Sequence, residues 1–186
     1  SSDDTARIVQ TFIDNHAGVR IKLLPLTTES GKKQAILHAM KVATGELILC
    51  TDADCQHPPA WISTMAGFFA SGKPVFIAGP VVLNTRGGFS GLFQETEFAS
   101  LIASGAGSIG MRTPTMCNGA NLGFSAEAFR SLNSDALKSA IGSGDDVFLM
   151  MSVKQKFGPS GIGFLKSRDA LVVAEGKDKL SDYLKQ

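Results

Sequence analysis

The chain is short of the residues that would commit it to several large classes of protein. Tryptophan and tyrosine occur once each and cysteine three times in 186 residues. Three thiols, Cys50, Cys55 and Cys117, cannot close a disulfide framework, and with three histidines they form no zinc-ligand spacing. Reduced thiols in a cytosolic setting are therefore expected. Charge of one sign is missing too: 18 basic residues face 17 acidic ones, for a net charge of +1. A nucleic-acid partner is not expected, because that needs a concentrated basic face and the lysines and arginines here are scattered. No apolar run approaches the roughly 18 residues that cross a bilayer, and the first residues show no signal-peptide pattern. What is present is 44% apolar content, which suffices for one soluble globular domain with a sizeable core.

Apolar periodicity alternates between strand and helix, as in doubly wound α/β domains. Asp4 or a neighbour caps a first helix with Ile8, Val9, Phe12 and Ile13 on one face. Val19 to Leu24 reads as a strand, and Gly31 to Ala43 as a helix with Ile36, Met40 and Ala43 inward. Leu47 to Leu49 reads as a strand buried on both faces, since the run shows no polar alternation. Pro58 and Pro59 open a helix whose Trp61, Ile62, Met65, Phe68 and Phe69 form a core stripe ending at Gly72. Val75 to Ala78 and Val81 to Leu83 follow as strands, then Leu92 to Ile102 as a helix bearing Glu95 and Glu97, which face a cleft or water. Ser104 to Gly110, with three glycines, reads as a mobile loop over a site or an ordinary surface connection. Ala126 to Leu132 and the stretch after Asp146 read as helices, Ile162 to Leu165 and Leu171 to Ala174 as strands, and Leu180 to Gln186 as the start of a helix. No repeat or linker marks a domain boundary.

Three stretches carry polar groups where a fold alone does not require them. The apolar run ending at Cys50 breaks into Thr51-Asp52-Ala53-Asp54. Ligands of open α/β sheets bind beyond the carboxyl ends of strands, so two carboxylates there suit a hard cation, Mg2+ or Mn2+, and through it a phosphate. An acidic turn is the plainer reading. Met116 to Ser125 packs Asn118, Gly119, Asn121 and Gly123 into an apolar segment, and buried amides need partners, from backbone or ligand. Ser143-Gly144-Asp145-Asp146 opens a helical pattern, where acids either offset the helix dipole or do chemistry. His57 is closer to a solvated loop residue than to a ligand of a hard metal, and Cys55 and Cys117 to packing residues than to nucleophiles.

Taken together and in this order, Cys50-Thr51-Asp52-Ala53-Asp54, Cys117-Asn118-Gly119-Ala120-Asn121 and Gly144-Asp145-Asp146 resemble the family 2 glycosyltransferases of GT-A fold, with Ser30-Gly31-Lys32 matching that family's Gly-Lys element. The resemblance implies a mostly parallel central sheet flanked by helices, with a Rossmann-like nucleotide-binding half. It implies a single catalytic-domain fragment over residues 1–186, without the family's first strands and its Gln-x-x-Arg-Trp region. It further implies an inverting transfer from a nucleotide-diphosphate sugar to a hydroxyl of a lipid or polysaccharide. In that reading Asp54 and Asp52 hold the divalent metal, Lys32 reaches the nucleotide or phosphate, Asn118, Gly119 and Asn121 line the sugar and acceptor, and Asp146 is the base with Asp145 orienting it. The complete protein would sit at the cytoplasmic face of the cell membrane through regions outside this segment.

Two other readings compete. Haloacid-dehalogenase-like phosphohydrolases also join a strand to Asp-x-Asp, with Asp52 as nucleophile, but they need it on their first strand and leave the Asn-Gly segment without a role. A non-catalytic module that binds a nucleotide sugar would keep the fold without turnover.

Overall fold

The computed structural model describes residues 4–26, 31–72, 74–132 and 145–176. The expected helix at Leu180 to Gln186 lies outside them. Contacts divide the chain into two compact units, Ser1–Thr44 and Gly45–Gln186.

The first unit holds helices α1 (Thr5–Asn15) and α2 (Lys32–Met40). Asp4 does not cap α1 with its side chain; its carboxylate pairs with Arg7 at 3.2 Å, one turn on. Ile8 and Phe12, expected inward, are 60% and 48% exposed. Val19 to Leu24 does not form a strand. A strand exists only where a neighbour satisfies its amides and carbonyls, and among the described residues no ladder reaches this segment, whatever its β-propensity. Met40, at the end of α2, is buried as expected.

The second unit contains two sheets. Strands β1 (Leu47–Cys50), β3 (Phe76–Ala78), β5 (Leu122–Ser125) and β6 (Ile162–Phe164) form one in the order β1-β5-β3-β6. Strands β2 (Cys55–Gln56), β4 (Val81–Asn84) and β7 (Val172–Glu175) form the other in the order β2-β7-β4. Both are mixed. β3 runs parallel to β6 and β4 to β7, whereas β5 is antiparallel to β1 and β3, and β2 to β7. β1 is half-buried along its length and lies at a sheet edge, rather than being buried on both faces.

Helix α3 (Trp61–Gly72) ends at the glycine anticipated and drives Trp61 and Met65 into a core with Ile77, Val81, Ala120, Leu165, Ala170 and Val172. Each such large side chain contributes on the order of 1.5–3 kcal/mol by leaving water. Phe68 and Phe69 pack against that core, but Ile62 is 65% exposed, so the apolar stripe is narrower than the sequence suggests.

Helix α4 (Gly88–Gly110) is the largest departure from the sequence reading, since it runs through the whole of Ser104 to Gly110. Of the three glycines there, Gly105 serves close packing. A Cβ on Gly105 would come 2.9 Å from the Met116 carbonyl oxygen, so only glycine lets the helix approach that backbone. Buried Ser108 donates to the Gly105 carbonyl at 2.8 Å and accepts from the Thr115 amide at 3.3 Å, tying the helix end to the segment that follows. Helix α5 (Ala126–Ser131) is capped by Ser125, whose hydroxyl accepts from the Ala128 amide at 3.2 Å. Helix α6 (Asp145–Phe157) starts at the expected acidic pair.

Candidate functional site

The antiparallel register of β1 and β5 assembles the site. Cys50, the last residue of β1, stands opposite Leu122, the first of β5. The acids that follow Cys50 are thereby brought to the same end of the sheet as the Asn118 to Asn121 turn that precedes Leu122. The second sheet supplies the opposite wall, because Cys55, just after Asp54, pairs with Ala174 next to Glu175. Asp52, Asp54, Cys55, Phe98, Asn118 and Glu175 all line one cleft of about 180 Å³. Two acids and one amide singled out by sequence therefore converge.

The charge of that cleft is felt by its thiol. Burial raises the pKa of Cys55 above the ordinary thiol value, and the negative charges of Asp54 and Asp52 raise it further; the Sγ to Asp54 Oδ1 distance is 3.9 Å. Such a group is a protonated packing residue, as expected, and no thiolate nucleophile.

Asn118 and Asn121 have opposite fates. The Asn118 side chain accepts from the Ala120 amide at 2.9 Å, closing the turn, while it remains half-buried on the cleft wall. Asn121 is 0% exposed. Its Oδ1 accepts from the Trp61 indole at 3.0 Å, and its Nδ2 donates to the carbonyls of Pro80 at 2.8 Å and Ala170 at 2.7 Å. This corrects the expectation that Asn121 lines the sugar: its amide is consumed by the interior and holds the turn in place. Gly119 is buried in the same turn and does not line the cleft.

Asp146 is half-buried in the first turn of α6, where its Oδ1 accepts from the Val147 amide at 2.9 Å. It does not line the acidic cleft itself. Its charge acts on the thiol of Cys117, the residue preceding Asn118, which burial first and Asp146 second push well above the usual range. The side chain of Asp145 falls outside the described residues. Lys32 is exposed at the start of α2 in the first unit, after Gly31 with φ +100°. Glu95 is not a cleft group: its carboxylate accepts from the Thr85 hydroxyl at 2.6 Å and amide at 3.3 Å. Glu97 is half-buried on α4.

Sequence reasoning missed Glu175, which lines the cleft and whose Oε1 accepts from Asn84 Nδ2 at 3.3 Å. The signal was available, because the apolar run of β7 ends in an acid, much as β1 is followed by one two residues on. His57 is more than a solvated loop residue: its Nε2 lies 2.6 Å from Thr51 Oγ1 and its ring packs on Trp61.

The donor set suits a hard divalent ion. Asp52 and Asp54 offer carboxylate oxygens on a single loop facing a polar cleft. Among the described residues no group of three or more His, Cys, Asp or Glu could hold a metal. Mg2+ and Mn2+ sites of the kind that takes one or two carboxylates and completes its shell with waters and substrate phosphates need no such group.

Comparison with known proteins gives a consistent picture. The family model for glycosyl transferase family 2 matches residues 1–132. Dolichol-phosphate mannosyltransferase of Saccharomyces cerevisiae is 39% identical over 44 residues, covering 24% of this chain and 16% of the relative. Poly-beta-1,6-N-acetyl-D-glucosamine synthase of Staphylococcus epidermidis is 30% identical over 103 residues, 55% of this chain and 24% of the relative. The chain thus spans a quarter or less of these curated relatives. Among solved structures, glucosyl-3-phosphoglycerate synthase of Mycobacterium tuberculosis with phosphoglyceric acid superposes with a TM-score of 0.54 at 18% identity, over 99% of this chain and 60% of that one. The same enzyme with Mn2+, uridine diphosphate and glucosyl-3-phosphoglycerate gives 0.54 at 18%, over 100% and 61%. At that identity the likeness is one of fold, the GT-A type α/β arrangement.

Proposed function

Because the chain belongs to glycosyl transferase family 2, we propose that its second unit carries the diphosphate end of a metal-dependent, inverting transferase site for a nucleotide-diphosphate sugar. The observation that supports this most is the convergence of Asp52, Asp54 and Asn118 on one cleft through the β1 and β5 register. The phosphohydrolase reading is not favoured by the family match, and it leaves Asn118 on the cleft wall without work to do.

In this proposal Asp54 and Asp52 hold a divalent ion, whose chemistry is to neutralise charge on a departing diphosphate. Asn118, at the cleft wall, offers an amide to the sugar hydroxyls. Asp146 is assigned as the base that takes the proton of the acceptor hydroxyl as its oxygen attacks the anomeric carbon, with Asp145 as its neighbour. Lys32, exposed at the start of its helix, is assigned to the donor's nucleotide or phosphate as a compact cation. The acceptor we propose is a lipid or a growing glycan, the classes named in two of the relatives. The place of action we propose is the cytoplasmic face of the cell membrane; among the described residues no helix is long and apolar enough to cross a membrane.

The test is to incubate the protein with a panel of nucleotide sugars, Mn2+ and lipid-phosphate or glycan acceptors, and to follow nucleoside diphosphate release. Release that needs both metal and acceptor is expected, with Asp146→Asn slowing it by about 10²- to 10⁴-fold. Unchanged rates in Asp146→Asn would refute the base assignment. Nucleotide affinity without turnover would make the protein a binding module, and phosphate release through a phospho-Asp52 would make it a phosphohydrolase.

A further inference from the structure

The loop carrying Asp52 and Asp54 is closed at its base by a contact that the proposed transfer does not use. Thr51 follows β1 directly, and its Oγ1 lies 2.6 Å from His57 Nε2. Between those two residues the chain makes the acidic turn, with the Cys55 amide donating to the Asp52 carbonyl at 3.3 Å, and the short strand β2. His57 is itself braced from behind. Its ring lies 4.4 Å, centroid to centroid, from the ring of Trp61, which is only 8% exposed. Trp61 in turn donates to Asn121 at 3.0 Å, and Asn121 is fixed to two backbone carbonyls in the core. A continuous row of contacts therefore runs from the rigid interior to the base of the acidic loop, and His57 is where it passes from ring packing to a hydrogen bond.

Packing alone does not account for that arrangement. A phenylalanine would fill the same place against Trp61 equally well, and the bond to Thr51 lies on the outer, exposed side of the ring, where water could satisfy both groups. What the bond does is join the two ends of the loop. A carboxylate pair on an unjoined loop must be ordered by its ligand, which weakens binding, and groups that hold metal ligands in place typically govern affinity by 10- to 100-fold.

We propose that His57 is a positioning residue for the cleft: through Thr51 Oγ1 it fixes the Asp52 and Asp54 carboxylates in one arrangement for a divalent cation, without touching that cation. This rests on the metal reading above.

The test is a Mn2+ titration followed by electron paramagnetic resonance, with and without uridine diphosphate, on four variants. His57→Phe keeps the ring on Trp61 and deletes Nε2; Thr51→Val deletes the hydroxyl at nearly constant shape; the double variant removes both; Asp54→Asn reports on the metal reading. His57→Phe and Thr51→Val should each weaken Mn2+ binding about tenfold. The double variant should be no weaker than Thr51→Val alone, because that substitution already removes the bond to His57 along with the hydroxyl's 3.5 Å bond to the Asp52 carbonyl, and Thr51→Ser should bind as the wild type does. Melting temperatures read on the same samples separate this from general loosening, and should change little. Wild-type Mn2+ affinity in His57→Phe and Thr51→Val, with loss in Asp54→Asn, would overturn the inference and leave the metal reading standing. Losses that multiply in the double variant would also overturn it. Equal Mn2+ binding by the wild type and Asp54→Asn would overturn the metal reading and this inference with it.

Discussion

Replacing Asn121 by alanine is expected to cost far more stability than replacing Asn118 by alanine in the same turn, and the size of the loss follows from its three partners. The side chain is 0% exposed and bonds the Trp61 indole, the Pro80 carbonyl and the Ala170 carbonyl. Pro80 keeps a second donor, the Val172 amide at 3.1 Å, so it is not orphaned. The Trp61 N–H and the Ala170 carbonyl lose their side-chain partner where no water readily reaches them. A buried polar group left unmade costs about 1–3 kcal/mol, so the two together come to about 2–6 kcal/mol. Against a total stability on the order of 5–15 kcal/mol, that is a large share. Asn121→Asp should be worse, because it turns a carboxylate oxygen toward two carbonyls that now receive a donor. Gly79→Ala should produce a related loss, since a Cβ there would land on the Asn121 amide, which cannot move without breaking its bonds. Asn118→Ala, which gives up one bond at the cleft wall, should cost only about 1 kcal/mol. Equilibrium denaturation in urea reads all four. A loss under 1 kcal/mol for Asn121→Ala would refute the account of this amide as a structural pin.

The remaining expectations concern α4 and Cys117. Gly107→Ala should stabilise the protein by about 0.4–1 kcal/mol, because its Cβ would meet nothing within 4 Å and alanine favours the helix, whereas Gly105→Ala should destabilise it by about 1–3 kcal/mol through the Met116 carbonyl. Melting curves of the pair distinguish a packed helix from a mobile loop, in which both substitutions would be neutral. For Cys117, burial and Asp146 raise the folded-state pKa above the ordinary value of 9.0. The native state then holds its thiol proton at pH values where the unfolded chain has lost it, so this contribution is complete below about pH 9 and declines as pH rises above it. Cys117→Ala should flatten the alkaline side of the stability profile, and Cys117 should resist alkylation at pH 8 in the native protein; ready alkylation would show the thiol to be accessible or its pKa to be ordinary.

The contrast between Asn118 and Asn121 shows how far a sequence can be read at this site. The strand before Asp52, the stop of α3 at Gly72 and the start of α6 at Asp145 are local matters, set by an apolar run, a glycine and an acidic turn, and each was legible. The destination of an amide is not local. Asn121 is taken up by Trp61, Pro80 and Ala170, which lie 60, 41 and 49 residues away in sequence. Asn118 meets a neighbour two residues on and keeps a face to the cleft. Nothing in the segment from Cys117 to Asn121 separates the two, because the decision belongs to the β1 and β5 pairing and to α3.

The same reasoning explains the misreading of Ser104 to Gly110, and it bears on the site. Each glycine lowers helix propensity by about 1 kcal/mol relative to alanine, so three of them in seven residues argue locally for a loop. Packing reverses that balance. Gly105 admits the Met116 backbone, Ser108 binds both the helix and Thr115, and the segment entering the Asn-Gly turn is thereby fixed against α4. A mobile flap over the cleft would have placed the glycines where motion is needed. Here Gly105 stands where the chain leading to Asn118 must come close to a helix, so the cleft's amide wall is preformed, and ordering on binding falls to the acidic loop, where Thr51 and His57 already limit it.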